Sequence, residues 1–292
     1  MFSKVFSGSV VSVFGLVFAL SVCIGWSGNI ALAENPPGFP ALPDLCFNNH
    51  EFTTDFRLED CKFKDKGTNP YFILKPGYRL VLEEPGVEKS VETVLKDKKK
   101  IYLDGRKIKT RVLEERAFEW EEGEWVAIEI SLNYFAVCKK TNAIYYFGEE
   151  SRDCEEGFDE NDECEGGADP AGSWEAGVDG AMPGLMMPGT PLLGAKYFQE
   201  IAPEQDAVDR GQIAEMGLDW PEGLESGEEP MFTGCIKIFD TNPTEDGECG
   251  EEDAKIYCPG IGLVQDQELK LVSYGFDDDD DDDDDDDRRR RR

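Results

Sequence analysis

The feature that most constrains the fold is a series of period-2 runs between residues 71 and 148. Residues 78–83 alternate apolar and polar side chains, and residues 108–120 alternate through Val112, Glu114, Arg116, Phe118 and Trp120. Residues 125–137 return through Val126, Ile128, Ile130 and Leu132, and residues 143–148 follow with Ile-Tyr-Tyr-Phe. Successive side chains on a strand point to opposite faces, so alternation of this kind gives a sheet with one buried face. Short polar turns join the runs: Pro76-Gly77, Pro85-Gly86, Asp104-Gly105, residues 121–124 and residues 139–142. Asp-Gly between two such runs is a two-residue hairpin signal. Residues 87–95 and 100–103 flank the basic residues 96–99, which read as one more turn. No stretch in this half has 3.6-residue apolar periodicity. The pattern predicts an antiparallel meander.

The second half continues in strands. Residues 196–201, 206–216 and 232–239 read as single strands, and residues 254–258 and 261–274 as a last hairpin around Pro259-Gly260. Between the halves lies residues 172–189, Gly-Ser-Trp-Glu-Ala-Gly-Val-Asp-Gly-Ala-Met-Pro-Gly-Leu-Met-Met-Pro-Gly. A flexible linker would be polar. This one carries Trp174, Leu185, Met186 and Met187, which need burying, so it is expected to pack on the sheet. Methionines 182, 186 and 187 are soft enough to ligate Cu(I), but filling the core is the simpler use of them. The expected fold is all-β, mainly an antiparallel meander forming a curved sheet or half-barrel, with one continuous domain over residues 70–276.

Both ends differ from the body. Residues 1–33 read as a secretory signal, with Lys4, an apolar run over 10–26 and Ala31-Leu32-Ala33 as a cleavage site, so that the mature chain starts near Glu34. The alternative is that the apolar run stays as an N-terminal membrane anchor. Residues 34–69, with Pro36, Pro37, Pro40 and Pro43, read as an irregular segment. Residues 277–292 are eleven aspartates followed by five arginines. Like charges resist collapse, so this stretch is expected to be a disordered tail.

A secreted or periplasmic location fits the cysteines. Cys23 lies in the leader, leaving eight: Cys46, Cys61, Cys138, Cys154, Cys164, Cys235, Cys249 and Cys258. An even number in an exported chain points to disulfides. Nearness in sequence favours Cys46–Cys61, Cys154–Cys164 and Cys249–Cys258, which leaves Cys138–Cys235 to tie the halves. Zinc is disfavoured, because there is no C-x-x-C pair and His50 is the only histidine.

Charge and motifs narrow the function. Without leader and tail the chain holds 52 acidic and 24 basic residues. Such a field repels nucleic acid and attracts cations. No G-x-S-x-G, H-E-x-x-H or phosphate-binding loop occurs, which argues against the common hydrolases, metalloproteases and nucleotide-binding proteins. No catalytic residue and no organic cofactor is assigned. Calcium is the cofactor worth testing. Asp240, Asn242, Thr244 and Glu251 fall at offsets 1, 3, 5 and 12, the oxygen-ligand spacing of an EF-hand loop. Glu245 stands where that loop needs glycine. Asp159, Asn161, Glu163 and Glu165 form a similar ladder beside Cys154 and Cys164. Solvated acidic loops are the plainer reading of both.

Three segments together resemble a known family: residues 144–151 (Ile-Tyr-Tyr-Phe-Gly-Glu-Glu-Ser), residues 172–189, and residues 257–264 (Tyr-Cys-Pro-Gly-Ile-Gly-Leu-Val). The opening Asn69-Pro70-Tyr71-Phe72 to Pro76-Gly77 fits as well. The chain is similar here to a family of uncharacterised exported bacterial β-rich proteins. The resemblance spans about residues 69–274 and implies a compartment and a curved antiparallel sheet of the periplasmic lipid-carrier type, not a reaction. The expectation is a non-catalytic exported binding or structural protein of periplasm or cell surface, whose concave sheet holds a lipophilic ligand or a lipid or cell-envelope partner. The alternative is a low-affinity Ca²⁺-binding extracellular protein, and an uncharacterised hydrolase comes third.

Overall fold

The two ends of the sheet meet in one stretch of chain, residues 196–201. The computed structural model describes residues 51–154, 172–221, 223, 229–242 and 253–276. The leader, His50, Cys46, Cys164, Cys249, Asp159, Asn161, Glu163, Glu251 and the Asp/Arg tail lie outside the described residues.

The first half holds β1 (Phe63–Lys64), β2 (Gly67–Asn69), β3 (Phe72–Leu74), β4 (Tyr78–Glu84), β5 (Glu88–Leu103), β6 (Arg106–Glu121), β7 (Glu124–Cys138) and β8 (Ile144–Asp153). The 172–189 connection carries β9 (Trp174–Glu175) and β10 (Met182–Met187). The second half adds β11 (Lys196–Phe198), β12 (Glu200–Ile201), β13 (Arg210–Trp220), β14 (Phe232–Thr241), β15 (Asp253–Cys258), β16 (Gly262–Asp266) and β17 (Leu269–Phe276). Among the described residues helix is confined to short 3-10 pieces, Leu58–Asp60 and Pro203–Gln205 among them.

The main sheet runs β11-β13-β14-β15-β16-β17-β4-β5-β6-β7-β8-β10-β12. β11 pairs with β13 on one side, β12 pairs with β10 on the other, and only Gln199 separates them. The meander therefore curls past a half-barrel to near closure. Near closure protects the edges that an open sheet would expose. The hairpin signal at Asp104-Gly105 is realised, with both residues at positive φ (49° and 72°) as a primed turn requires.

The basic residues 96–99 do not turn. β5 passes straight through them, and its register against β6 jumps from Val94↔Leu113 to Lys98↔Arg111. The cause is Arg111, which is 2% exposed. Its Nη1 donates to the carbonyls of Leu95, Lys96 and Asp97 at 3.3, 2.7 and 3.3 Å, and its Nε donates to Asp65 O at 2.9 Å. The bulge leaves these carbonyls off the ladder, and one guanidinium satisfies all three. The last hairpin also differs from its expected form. Residues 261–274 break into β16 and β17 at Gln267, whose φ of 50° turns the chain.

Disulfide pairing follows space rather than sequence. Cys61 bonds Cys138 and Cys235 bonds Cys258, so Cys46–Cys61, Cys138–Cys235 and Cys249–Cys258 are not formed. β1 pairs with the end of β7, with Phe63 opposite Cys138, and this brings Cys61 to its partner across 77 residues. Closing a long loop costs little more than closing a short one. Cys154 is also disulfide-bonded, to a cysteine outside the described residues.

The 172–189 connection packs as expected. Trp174, Ala176, Ala181 and Met187 are buried, with Leu185 and Met186 partly so, and the methionines serve as core. Two glycines are needed because another backbone lies against them. A Cβ on Gly184 would stand 1.9 Å from Gln199 O, and one on Gly189 would stand 1.8 Å from Thr141 O. Gly184 is thus the close-approach point that lets β10 reach the closure segment. Part of the N-terminal segment is ordered onto the same seam, since Thr53 bridges Tyr197 and Phe63 packs edge-on against Tyr145 and Phe147.

Candidate functional site

The barrel interior holds more acid than its apolar pattern suggests. Cross-strand register places Leu80, Glu92, Glu115, Ser131 and Ser151 in one row across β4 to β8. Leu80 and Glu92 line an internal cavity with Phe72, Tyr78, Val94 and Tyr257, so this row faces inward. The cavity measures only about 40 Å³. That is room for a few waters, far below the ~300–1,000 Å³ of pockets that enclose organic ligands. This cavity is too small to enclose an organic ligand.

Around this row lie Glu149, Glu200, Asp240, Asp266 and Lys255. Burial pushes the Glu92 carboxyl up to about 8, and the charges of Glu115 and Asp266 push the same way against Lys255. Glu115 is raised by burial although Lys255 and a Ser90 hydrogen bond oppose it. Burial tends to discharge Lys255, but Asp240 at 3.0 Å and Asp266 at 3.6 Å hold its ammonium well above the ordinary range. The Tyr197 hydroxyl near Asp240 and the Oδ1 atoms of Asp240 and Asp266 are buried without a hydrogen-bond partner.

Glu149 carries this polar cluster to an open surface. An open cleft of about 270 Å³ lies between β8 and the 172–189 connection. Lys99, Tyr134, Glu149, Glu150, Glu175 and Asp179 carry its chemistry. β8 pairs with β10 only at its start and with the two-residue β9 after that; among the described residues no further strand pairs with it on that side, and Ser151 N donates to Ser173 Oγ at 3.0 Å. Glu149 and Glu150 are consecutive on this strand and meet different surroundings. Burial raises Glu149 to about 7, helped by Glu115 and Glu129 and opposed by Tyr146 and Ser131. Glu150 is held low, first by the hydrogen bond from Arg152 Nη2 at 2.5 Å. Tyr134 also donates to Glu150 at 3.4 Å.

Tyr146 organises the deep end. Its hydroxyl bonds Asn133 Oδ1 and lies 3.0 Å from Glu149 Oε2. One phenol proton serves one acceptor at a time. Both contacts are satisfied together when Glu149 keeps its own proton, in line with its raised pKa. Trp174 Nε1 donates to Glu200 Oε1 at 3.4 Å, and burial with the charges of Asp209 and Glu149 raises Glu200 well above the carboxylate range.

An ammonium already occupies the cleft mouth. Lys99 Nζ sits 4.9 Å from the Tyr134 ring centroid and 3.4 Å from Glu175 Oε2. Its side chain is 40% exposed, so the position is held loosely. A second groove, of about 420 Å³, is lined by Asn69, Ile73, Lys75, Tyr78 and Phe276, with no carboxylate among its described lining residues.

Of the calcium candidates, Asp240 and Asn242 are among the described residues. Asp240 pairs with Lys255, and Asn242 Nδ2 donates to Asp206 O at 3.2 Å. Among the described residues no three His, Cys, Asp or Glu side chains converge to hold a metal. The acidic cluster itself was missed in the sequence. Val87, Val91 and Leu95 in one run and Val112, Phe118 and Trp120 in the other put Glu92 and Glu115 on the polar phase of the alternation, so the pattern itself pointed away from them. Comparison with protein-family models, curated proteins and solved structures finds no match to this chain.

Proposed function

We propose that the chain is an exported, non-catalytic binding protein of the periplasm or cell surface, and that its ligand presents a compact cationic group to the cleft beside the 172–189 connection. The observation that carries this is the Lys99 ammonium, seated over Tyr134 and against Glu175. A cleft lined by Glu149, Glu150, Glu175 and Asp179 and holding one partly exposed lysine suits an exchange of that ammonium for a ligand's. Aromatic faces and carboxylates are the usual recognition chemistry for organic cations. The signal-like residues 1–33, the two disulfides and the resemblance to exported β-rich proteins support the compartment. The small volume of the cavity beside Glu92 favours this cleft over that cavity as the ligand's place. Titration with spermidine as a cationic probe tests the reading. Saturable binding that weakens in Glu175→Gln/Asp179→Asn supports it, and no binding at low salt contradicts it.

One observation favours a second reading, hydrolysis in the same cleft. Neighbouring carboxyls with pKa values pushed apart, as in Glu149 and Glu150, are the mark of an acid and base pair. Turnover of a chromogenic glycoside panel that is lost in Glu149→Gln would establish it. No turnover by the wild type would end it.

A further inference from the structure

Lys255 and Asp240 stand on neighbouring strands, partly buried with 28% and 15% of their side chains exposed, with Nζ 3.0 Å from Oδ2. Lys255 is opposite Ile238 in the β14–β15 register, so Asp240 is its diagonal neighbour on the same face. Asp266, on β16 and directly opposite Lys255, reaches the same Nζ at 3.6 Å from the other side. The amine, a carboxyl to receive it and a second carboxyl to move its protons are thus in contact before any reaction. One carboxylate oxygen on each aspartate is buried without a donor, so neither acid is fully satisfied as an ion.

We propose that Lys255 and Asp240 form an intramolecular amide, a covalent cross-link between β14 and β15. The step balances without a co-reactant. Asp240 and Asp266 favour the Lys255 ammonium, so the reaction proceeds through the minor fraction in which that ammonium has passed a proton to the Asp240 carboxylate, giving a neutral amine beside a neutral carboxyl. The amine lone pair attacks Cγ of Asp240. Asp266 takes a proton from the new nitrogen and returns it to the departing hydroxyl, which leaves as water. One C–N bond forms, one C–O bond breaks, and the net change is loss of one water. Burial favours the product, because a charged pair is replaced by a neutral amide. Proximity supplies the rate, since both reacting groups are held by adjacent strands. Glu92 and Glu115 complete the surroundings, and both are shifted toward their neutral forms. The Cys235–Cys258 disulfide already ties the same two strands near their other end, so the amide would clamp the pair at both ends.

Peptide mapping of the full chain, made in an exporting host, tests this directly. The disulfides are reduced and alkylated first, because Cys235–Cys258 would otherwise hold the same peptides together. The expected product is one branched peptide joining the β14 and β15 segments through Asp240 and Lys255, lighter by one water than the two linear peptides. Lys255→Arg keeps the cation and should give linear peptides only. Asp266→Asn should slow formation by at least about 100-fold, the usual loss for a proton-transfer group. Unmodified Asp240 and Lys255 in linear peptides, after prolonged incubation of the folded wild type, would overturn the proposal. So would a link from Lys255 to Asp266 in place of Asp240.

Discussion

Trp174 donates its indole N–H to Glu200 across the seam of the barrel, at 3.4 Å. Trp174 belongs to the apolar connection and Glu200 to the segment that closes the sheet. The bond therefore joins the two pieces of chain that the closure depends on. Trp174 also packs edge-on against Tyr146, with ring centroids 5.3 Å apart.

Trp174→Ala should destabilise the whole barrel by about 3–5 kcal/mol, as for large aromatics removed from a core. Trp174→Phe should cost about 1–3 kcal/mol, because the ring contact survives and only Glu200 loses its donor. Urea unfolding followed by fluorescence and circular dichroism measures both. Two separate transitions, with only one shifted, would show that the halves fold independently.

Arg111→Ala should cost about 3–5 kcal/mol, since it strips the donors from three bulge carbonyls and leaves Asp65 partly buried without that partner. Arg111→Lys should recover only part, because an ammonium cannot span the same fan of acceptors. Hydrogen exchange at residues 94–98 reads the local effect. Unchanged protection in Arg111→Ala would contradict the role assigned to the guanidinium.

Stability should fall as pH rises from about 5 to 8. The Glu92 carboxyl titrates near 8 and Glu149 near 7 in the folded chain, against an ordinary value of 4.5. Across that window the native state holds protons that the unfolded chain has released, so raising the pH favours unfolding, by up to about 1.4 kcal/mol per unit for each group. Lys255 has a raised pKa, and its contribution is complete below the ordinary lysine range and constant here. Asp65 and Glu150 are lowered, and their contribution is lost only below about pH 4. Stabilities from urea unfolding at pH 5 and pH 8 should differ by up to about 6 kcal/mol for the two groups together, and Glu92→Gln should flatten the trend. A midpoint that climbs toward pH 8 would be incompatible with buried neutral carboxyls.

The two observed disulfides should differ in worth. Cys61–Cys138 closes 77 residues and Cys235–Cys258 closes 23. Loop-closure entropy predicts losses of about 4 and about 3 kcal/mol for the paired serine variants. Thermal unfolding of Cys61→Ser/Cys138→Ser and Cys235→Ser/Cys258→Ser ranks them, and the reverse order would point to an effect other than chain entropy.

Much of the fold was legible because the period-2 signal is local. Residues 78–83, 108–120 and 125–137 each fall within one strand, and Asp104-Gly105 turns as its chemistry requires. What was not legible depends on contacts far apart in sequence. The lysines at 96, 98 and 99 look like a turn until Arg111 is brought under them. Cys61 finds Cys138 only once β1 lies along β7. Closure through residues 196–201 rests on Gly184 meeting Gln199, a contact with no local signature. The acidic site was hidden for a related reason. In a chain with 63 acidic residues, Glu92, Glu115 and Glu149 look like any others until register places them on one interior face.

The most direct test of the proposed cleft is calorimetric titration of spermidine into the wild type and into Glu175→Gln/Asp179→Asn. A control, Glu59→Gln/Glu121→Gln, removes the same charge from exposed positions elsewhere on the barrel. Saturable binding at low salt, weakened at least about tenfold in the cleft variant and unchanged in the control, is the predicted result. Equal loss in both variants, or no saturable binding to the wild type, would contradict a cation-binding site beside Trp174 and reduce the affinity to the acidity of the whole surface.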